Sequence, residues 1–532
     1  MQLSSLNMLD LSVIACYFFA IVMVGYVFRR GAKSPNVFFH ASRSLPTAIT
    51  TIAFVAANCG ALEIVGIVSA SAKYGIKTLH FYWIGAIPAM LFLALCMMPI
   101  YLRSGALTVP EFLGLRFSTA TRTLNIICLS SMMLLVSGIS LYALAQTLRP
   151  FLGWSFTQTT FTVALIVLLY ISLGGLTATI YNEVIQFTLI IAGLIPLALF
   201  ILRDFHGLTG LMPHLPFDMR HIWRGLYLVA PQANPMDIIG VSMGLGFVLS
   251  FGYWCTDFVL IQRSLASRSI DGVMGTPLYA SFVKIFFPAL VVLPGLAAAI
   301  LFRSKPGFTY DQSLPMLMVR YYGHGLLGFG ITAIIASLMS GLAGNINALT
   351  TIWIHDIYRA SIAPGRRDRH YILAGRLFIL IAVLLSVATA YLALSFSNIL
   401  DYLQLLFSLF NAPLLATFLL GMFTTWATPK AGFWGLLLGT VCSITHNFAY
   451  RMHWIRYGSD MSANFYGAIL AFASCLTITA LISQITQPKT HYQLLNLTYW
   501  TSSRRHDRIS SSTIMLALAA FATCVILNIV FR

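Results

Sequence analysis

The sequence predicts an all-α polytopic membrane protein with about fourteen transmembrane helices. Two observations carry this. Hydrophobic residues fill 58% of the 532 positions and charged ones 9%, with a mean hydropathy of +0.84. A water-soluble chain of this length needs far more charge to cover itself. The apolar residues also fall into runs of about 20, the length a helix needs to cross the hydrocarbon core. These cover about 8–28, 45–72, 79–102, 122–147, 156–175, 178–202, 236–260, 277–303, 325–354, 373–397, 399–424, 432–450, 462–484 and 512–531. Runs of this length exclude an outer-membrane barrel, whose strands are short and alternating.

The formal charge of +17 has a topological explanation. Lys and Arg collect on the cytoplasmic side of a bilayer. None precedes the first run, while Arg29, Arg30 and Lys33 follow it at once. That order argues against a secretory signal peptide and places the N-terminus outside. Alternating from there, most basic residues fall inside, with clusters at Arg359, Arg366, Arg367 and Arg369 and at Arg504, Arg505 and Arg508. The surplus implies topology and some affinity for anionic membrane lipid, with no nucleic-acid partner.

All eight cysteines lie within apolar runs without metal spacing, so they are expected to be buried thiols. The longest loop, about 203–235, holds four prolines and is expected to be structured and outside. The segment Thr108 to Phe117 is too short and polar to span; it predicts an amphipathic cytoplasmic helix with Pro110 near its start.

Two runs are interrupted in corresponding ways. The second carries Asn58-Cys59-Gly60 and then Glu63 at its centre. The seventh carries Gly240, Gly244 and Gly246, then Ser250-Phe251-Gly252-Tyr253-Trp254-Cys255-Thr256-Asp257. Gly-interrupted helices five spans apart point to an inverted-repeat transporter whose site lies at the bilayer midplane. The same glycines are equally compatible with close helix packing alone.

A charge at a helix centre costs ~3 kcal/mol, so those kept there usually work. Glu63, Glu183, Asp257 and Asp401 are the carboxylates in question, and Lys284 is the one cation well inside a run. A Glu63–Lys284 ion pair is one purely structural use. Asp257 and Asp401 lie near helix ends, where capping or loop contacts suffice. His80, His324, His355 and His446 fall near span ends without ligand spacing. No nucleophile elbow, phosphate-binding loop or metal cluster is present, so no enzyme is expected.

Several stretches carry a resemblance. They are Ala56-Ala57-Asn58 through Gly66, Gly174-Gly175-Leu176-Thr177-Ala178 with Asn182-Glu183-Val184-Ile185-Gln186, and Trp254 to Arg263. Lys284, Leu293-Pro294-Gly295, Ala336 to Ser340, Asp356-Ile357-Tyr358, Asp401-Tyr402-Leu403-Gln404 and Lys430-Ala431-Gly432 follow in the same order. Together they resemble the sodium:solute symporter family, near its sodium/glucose cotransporter branch, over essentially the whole length. The resemblance implies a LeuT-like core of inverted five-helix repeats, about 45–202 and 236–424. The runs at 8–28, 432–450, 462–484 and 512–531 would flank it in a single transporter domain, 1–532.

Carried over residue by residue, the family's sodium site would use carbonyls at Ala56, Cys59 and Ser337 and hydroxyls at positions 340 and 341. Ser340 is present, but position 341 is Gly341. The nearby carboxylate, usually Asp, is Glu183. A hard cation wants several oxygen ligands, so the lost hydroxyl should weaken the site unless Glu183 or water compensates. The substrate pocket of the sugar branch matches at Asn58, Ser250, Tyr253, Lys284 and Gln404, with Tyr253 as the aromatic inner gate. Glu63 stands where sugar carriers use Gln or His, and Tyr82 replaces a sugar-binding Glu. Both a sugar-like and a zwitterionic solute therefore stay open.

The expected function is secondary active transport: sodium-coupled symport of a small polar solute by alternating access, without a cofactor beyond the sodium ion. Proton coupling through Glu63 or Glu183 and uncoupled transport are the alternatives. A transporter-like sensor comes last, for want of a fused signalling domain. The expected location is a plasma membrane or bacterial inner membrane.

Overall fold

The computed structural model describes residues 6–28, 34–224, 226–228, 236–394, 399–501 and 510–532. Arg29, Arg30, Lys33, Arg504, Arg505 and Arg508, on which part of the charge argument rests, lie outside them. The described residues are helical, with no strand among them. In chain order, α1 (Met8–Phe28) is followed by a bent pair, α2 (Thr47–Asn58) and α3 (Glu63–Leu79). Then come α4 (Phe81–Ser104), α5 (Val109–Arg116), α6 (Thr119–Arg149), α7 (Phe156–Leu169) and α8 (Gly175–Asp204). A second bent pair, α9 (Gly240–Thr256) and α10 (Phe258–Leu265), precedes α11 (Ile270–Phe302), α12 (Leu326–Ile362) and α13 (Asp368–Ala393). The chain closes with α14 (Ile399–Phe423), α15 (Pro429–Arg451), α16 (Asp460–Ile485) and α17 (Ser511–Val530).

Ten of these helices are long and apolar enough to cross a membrane, or twelve if each bent pair is one span. The expected fourteen included two more, for which length and composition do not suffice. α7 is short, and Gly175, at φ +60°, breaks the helix beyond it. α15 has the length, but Thr440, Ser443, His446 and Asn447 make it too polar. Contacts divide the chain into two units.

Unit 1 comprises residues 1–79, 133–222 and 286–402. Here α1 packs on α8 and α12. Gln186 donates to the Tyr17 hydroxyl at 3.0 Å, and the Asn182 amide reaches the Ile21 carbonyl at 3.4 Å. The crossing of α8 and α12 is fixed at two levels. Gly193 faces Ala333, where a Cβ would come within 2.5 Å of its methyl, and Asn347 donates to the Thr179 hydroxyl at 2.5 Å. Asp10 is buried at the start of α1 and accepts from the Gly325 and Gly328 amides at 2.8 and 2.7 Å. A carboxylate there meets the orphan amides of the first turn of α12 and its positive dipole end. The expectation of eight buried thiols fails at three positions: Cys16 is exposed, because α1 covers unit 1 with one face only, and Cys96 and Cys442 are half-buried.

Unit 2 comprises residues 80–132, 223–285 and 403–532. α5 forms as expected, capped by Thr108, whose hydroxyl accepts from the Glu111 amide at 3.1 Å, with Pro110 in its first turn. It is not a surface helix, however. Val109, Phe112, Leu113 and Arg116 are buried. The Arg116 guanidinium donates to the carbonyls of Gly421, Thr424 and Ala427 at 2.7, 2.9 and 3.1 Å, closing the C-terminal end of α14. Five donors on one planar group suit a helix end with several orphan carbonyls.

Removing the Asp10 cap should be costly. Asp10→Ala is expected to destabilise the protein by about 1–2 kcal/mol, read as a lower thermal midpoint in detergent. Asp10→Asn, which still accepts hydrogen bonds, should recover part of that loss. An unchanged midpoint in both variants would remove the cap's role.

Candidate functional site

The first site grows from the break between α2 and α3, a bend of 56°. Helix ends leave carbonyls without intrahelical partners. Here the hydroxyls of α12 meet them, all within unit 1. Ser340 Oγ donates to the Ala56 carbonyl at 3.1 Å, and Ser337 Oγ donates to the Cys59 carbonyl. The approach is close because two glycines face one another: a Cβ on Gly341 would lie 3.2 Å from the Gly60 Cα. The Ser337 carbonyl would lie 3.9 Å from a Cβ on Gly60. The residues that resemblance assigns to sodium thus come together: Ala56, Cys59, Ser337, Ser340 and Gly341. Around Gly341 stand the Ala57 carbonyl and the Ser140 hydroxyl, 3.9 and 4.0 Å from where its Cβ would be. Ser140 was not anticipated, since only the fold brings α6 to that level.

Glu183 is fully buried in α8. The antiparallel pairing of α8 with α12, set by Gly193 on Ala333 and Thr179 on Asn347, places Glu183 level with Ala343, about one turn from Ser340. Asn58 and Glu63 are also buried in unit 1, on either side of the break.

Unit 2 collects the remaining expected residues. Ser250 Oγ donates to the Leu245 carbonyl at 2.7 Å and abuts Gly85, where a Cβ would lie 2.2 Å from it. Tyr82 is buried on the same helix as Gly85. Trp83, next to it, donates to the Ile285 carbonyl at 3.3 Å, which ties α4 to the turn of α11 that carries Lys284. Lys284 is fully buried, its ammonium 5.8 Å from the Trp254 ring centroid. Tyr253 stacks on Phe407 at 4.9 Å, and Gly252 packs on the Asn411 backbone. Asp257 caps α10, accepting from the Val259 amide at 2.8 Å. Gln404, Phe407 and Asn411, at helical spacing, form one face of α14. On that face Gln404 Oε1 and both amide atoms of Asn411 are buried without hydrogen-bond partners. Unpaired buried polar atoms are rare and mark strain, water or ligand. Asn411 is a second residue the sequence did not single out.

Residues 38–439 match the pattern of the sodium:solute symporter family. The chain belongs to that family. The chain is 27% identical over 560 aligned positions to sodium/glucose cotransporter 1 of Ovis aries, covering 94% of this chain and 82% of the relative. It is also 27% identical over 464 positions to a sodium/glucose cotransporter of Vibrio parahaemolyticus, with 82% and 84% covered. In fold it is similar to the outward-open structure of a Na+-coupled sialic acid symporter, with a TM-score of 0.79 and 19% identity. That match covers 91% of this chain and 99% of the other.

As a member of the sodium:solute symporter family, the protein is a multi-pass membrane transporter that carries out sodium-coupled symport, and it is not an enzyme. Its fold is that of the LeuT-like transporters. Among the described residues no group of His, Cys, Asp and Glu forms a multivalent metal site.

Asp401, part of the family-like Asp401-Tyr402-Leu403-Gln404 stretch, is more than a cap. Within unit 1 it pairs with Lys73 at 3.0 Å, and the Tyr74 hydroxyl lies 3.5 Å away. Close by, Asp311 accepts from the Ser69 hydroxyl at 2.8 Å. Burial, reinforced by the Asp401 charge, pushes the Asp311 carboxyl up to about 6, although Ser69, the Ile399 amide and Lys73 pull it down. Folded protein therefore holds a proton on Asp311 that the unfolded chain, with its value of 3.8, releases. Between 3.8 and about 6 native protein binds more protons than the unfolded chain, so the penalty this group places on folding is full above pH 6 and is relieved as pH falls toward 4. Asp311→Asn, neutral throughout, should raise the thermal midpoint at pH about 7.5 and lose its advantage as pH approaches 4. A pH-independent difference between variant and parent would contradict the assignment.

Proposed function

We propose that unit 1 holds the coupling sodium ion at the α2–α3 break. The ligands would be the Ala56, Cys59 and Ser337 carbonyls and the Ser340 hydroxyl, with the Glu183 charge one turn away. The Ser140 hydroxyl takes the place of the side chain that Gly341 lacks. Unit 2 recognises a small polar solute through Tyr82, Ser250, Tyr253, Lys284, Gln404 and Asn411. Transport proceeds by alternating access in a plasma membrane or bacterial inner membrane, with the N-terminus outside.

One observation carries the solute assignment. Gln404 and Asn411 present two acceptors and one donor group, unpaired, on a buried face of α14. Burying such a group without a partner costs about 1–3 kcal/mol, a cost that a hydroxylated or amide-bearing solute would offset. The relatives named for glucose favour a sugar-like solute. Glu63 and Tyr82, where the sugar carriers differ, and the Lys284 ammonium favour a zwitterion.

Uptake into proteoliposomes separates the parts. For the ion, Ser340→Ala and Ser140→Ala should each raise the half-saturating sodium concentration, by on the order of tenfold for a lost charge–dipole contact. Gly341→Ser must be compared with Gly341→Ala, because any Cβ there crowds Gly60. A stronger sodium response in the serine variant than in the alanine variant isolates the hydroxyl. If a proton gradient alone drives uptake and Ser340→Ala is silent, the sodium site is wrong.

For the solute, D-glucose and L-alanine serve as neutral and zwitterionic probes. Asn411→Ala should raise the half-saturating concentration of whichever is carried, by roughly tenfold for a lost buried hydrogen bond. Glu63→Gln should abolish L-alanine uptake if Glu63 meets a cationic group, while D-glucose uptake would survive. Unchanged L-alanine uptake in Glu63→Gln returns the assignment to a sugar.

A further inference from the structure

The last part of α12 and the first half of α13 enclose a crevice of about 400 Å3 within unit 1. At its deep end Trp353 stacks on Phe378, with centroids 5.3 Å apart and planes at 25°. Its middle is apolar, lined by Ile354, Ile357, Leu373 and Leu377. At its mouth the only two polar lining side chains, Tyr358 and His370, bond to each other at 2.9 Å. One flank is open, since Leu373 and Leu377 are 53% and 59% exposed.

Beyond the mouth the chemistry changes abruptly. Arg359, Arg366, Arg367 and Arg369 are all exposed there. Their placement is built, not incidental. The Arg366 amide donates to the Tyr371 hydroxyl at 3.0 Å, which donates to the Ala363 carbonyl at 2.7 Å. The Arg359 guanidinium lies 5.4 Å above the same ring. A single exposed acid, Asp368, stands among them, while Asp356 is buried.

From His370 to Ile381, the two ends of the lining along α13, the crevice runs about 16 Å at 1.5 Å per residue. That is about half the ~30 Å hydrocarbon core, or the acyl depth of one leaflet. A charged cap, a polar collar and an apolar trough one leaflet deep follow the polarity of an anionic amphiphile. Free phosphate would use the arginines and leave the trough without purpose. A neutral lipid would use the trough and leave four guanidinium groups without a counter-charge.

We propose that this crevice binds one anionic phospholipid, with an acyl chain lying along α13 and the phosphate held by Arg359, Arg366, Arg367 and Arg369. Basic pockets at the membrane interface bind such headgroups through these contacts. The proposal requires only that the chain span a membrane, so it stands or falls apart from the solute and sodium assignments.

Native mass spectrometry of the purified full chain tests it, with dioleoyl phosphatidylglycerol, dioleoyl phosphatidylcholine and inorganic phosphate as probes. One phosphatidylglycerol should stay bound under activation that strips phosphatidylcholine, and excess inorganic phosphate should not displace it. Replacing the four arginines by glutamine should weaken retention about tenfold. If that variant does not fold, Arg366→Gln and Arg369→Gln, both at exposed positions, should each weaken it in part. Ala374→Trp, which fills the trough and leaves every charge in place, should weaken it as well. Arg456→Gln, exposed and remote in sequence, should change nothing. Equal retention of the two lipids, displacement by phosphate, or full retention in Ala374→Trp would each overturn the proposal.

Discussion

A helix can be broken inside a membrane only where protein groups or enclosed water, and not lipid, meet the backbone groups it frees. In unit 1 that role falls to the hydroxyl face of α12. The Cys59 carbonyl accepts from Ser337, and the Ala56 carbonyl accepts from Ser340 as well as from the Cys59 amide at 3.1 Å. A Cβ at position 60 or 341 would come within 3.3 or 3.2 Å of the facing glycine Cα, so glycine at both lets the two backbones approach this closely without displacement. The rest of unit 1 can be understood as support for this one apposition. Asp10 fixes the start of α12, Gly193 on Ala333 and Thr179 with Asn347 fix its register against α8, and the register sets the level of Glu183.

Unit 2 uses the same small-residue logic to a different end. Gly85 on Ser250 and Gly252 on Asn411 bring helices together at backbone distance. Such approaches are the usual basis of helix association in lipid, where apolar burial supplies no net attraction. Here they surround polar side chains that are not mutually satisfied. Arg116 has every nitrogen engaged, while Gln404 Oε1 and both amide atoms of Asn411 have no hydrogen-bond partner. On the proposed assignment, this difference separates a residue built for structure from residues held ready for a ligand.

Much of this was legible in the sequence because membrane helices obey a coarse rule. Length and apolarity located a helix at every expected run, and the Asn58-Cys59-Gly60 stretch announced the first bend; the second falls at Asp257, past the glycines of its run, which lie within continuous helix. The rule is weak where polarity serves packing: α15 is helical yet too polar to pass as a span. It is blind to contacts made across the chain. Nothing near Arg116 in sequence reveals that its partners are the carbonyls of Gly421, Thr424 and Ala427, so α5 looked like a surface helix. Ser140 and Asn411 escaped for the same reason. A serine or asparagine in an apolar run has no special spacing, and only the fold shows that one stands beside Gly341 and the other on the Gln404 face. Conversely, Cys16 looked buried because the sequence gives no sign of which face of α1 meets protein.

The departures that the family resemblance marks form a set. Position 341 is Gly, without the hydroxyl the resemblance implies there, and position 183 is Glu where the resemblance implies Asp. Glu183 stands level with Ala343, about one turn from Ser340, and so brings a carboxylate into the neighbourhood of the proposed site. Loss of a neutral oxygen ligand and approach of a full charge act in opposite directions on cation affinity. The Coulomb effect is also larger in a water-poor interior than at a surface. On the proposed assignment, a sodium site with fewer hydroxyls can therefore keep its affinity by leaning more on charge. Such a site discriminates less by ligand geometry and more by charge.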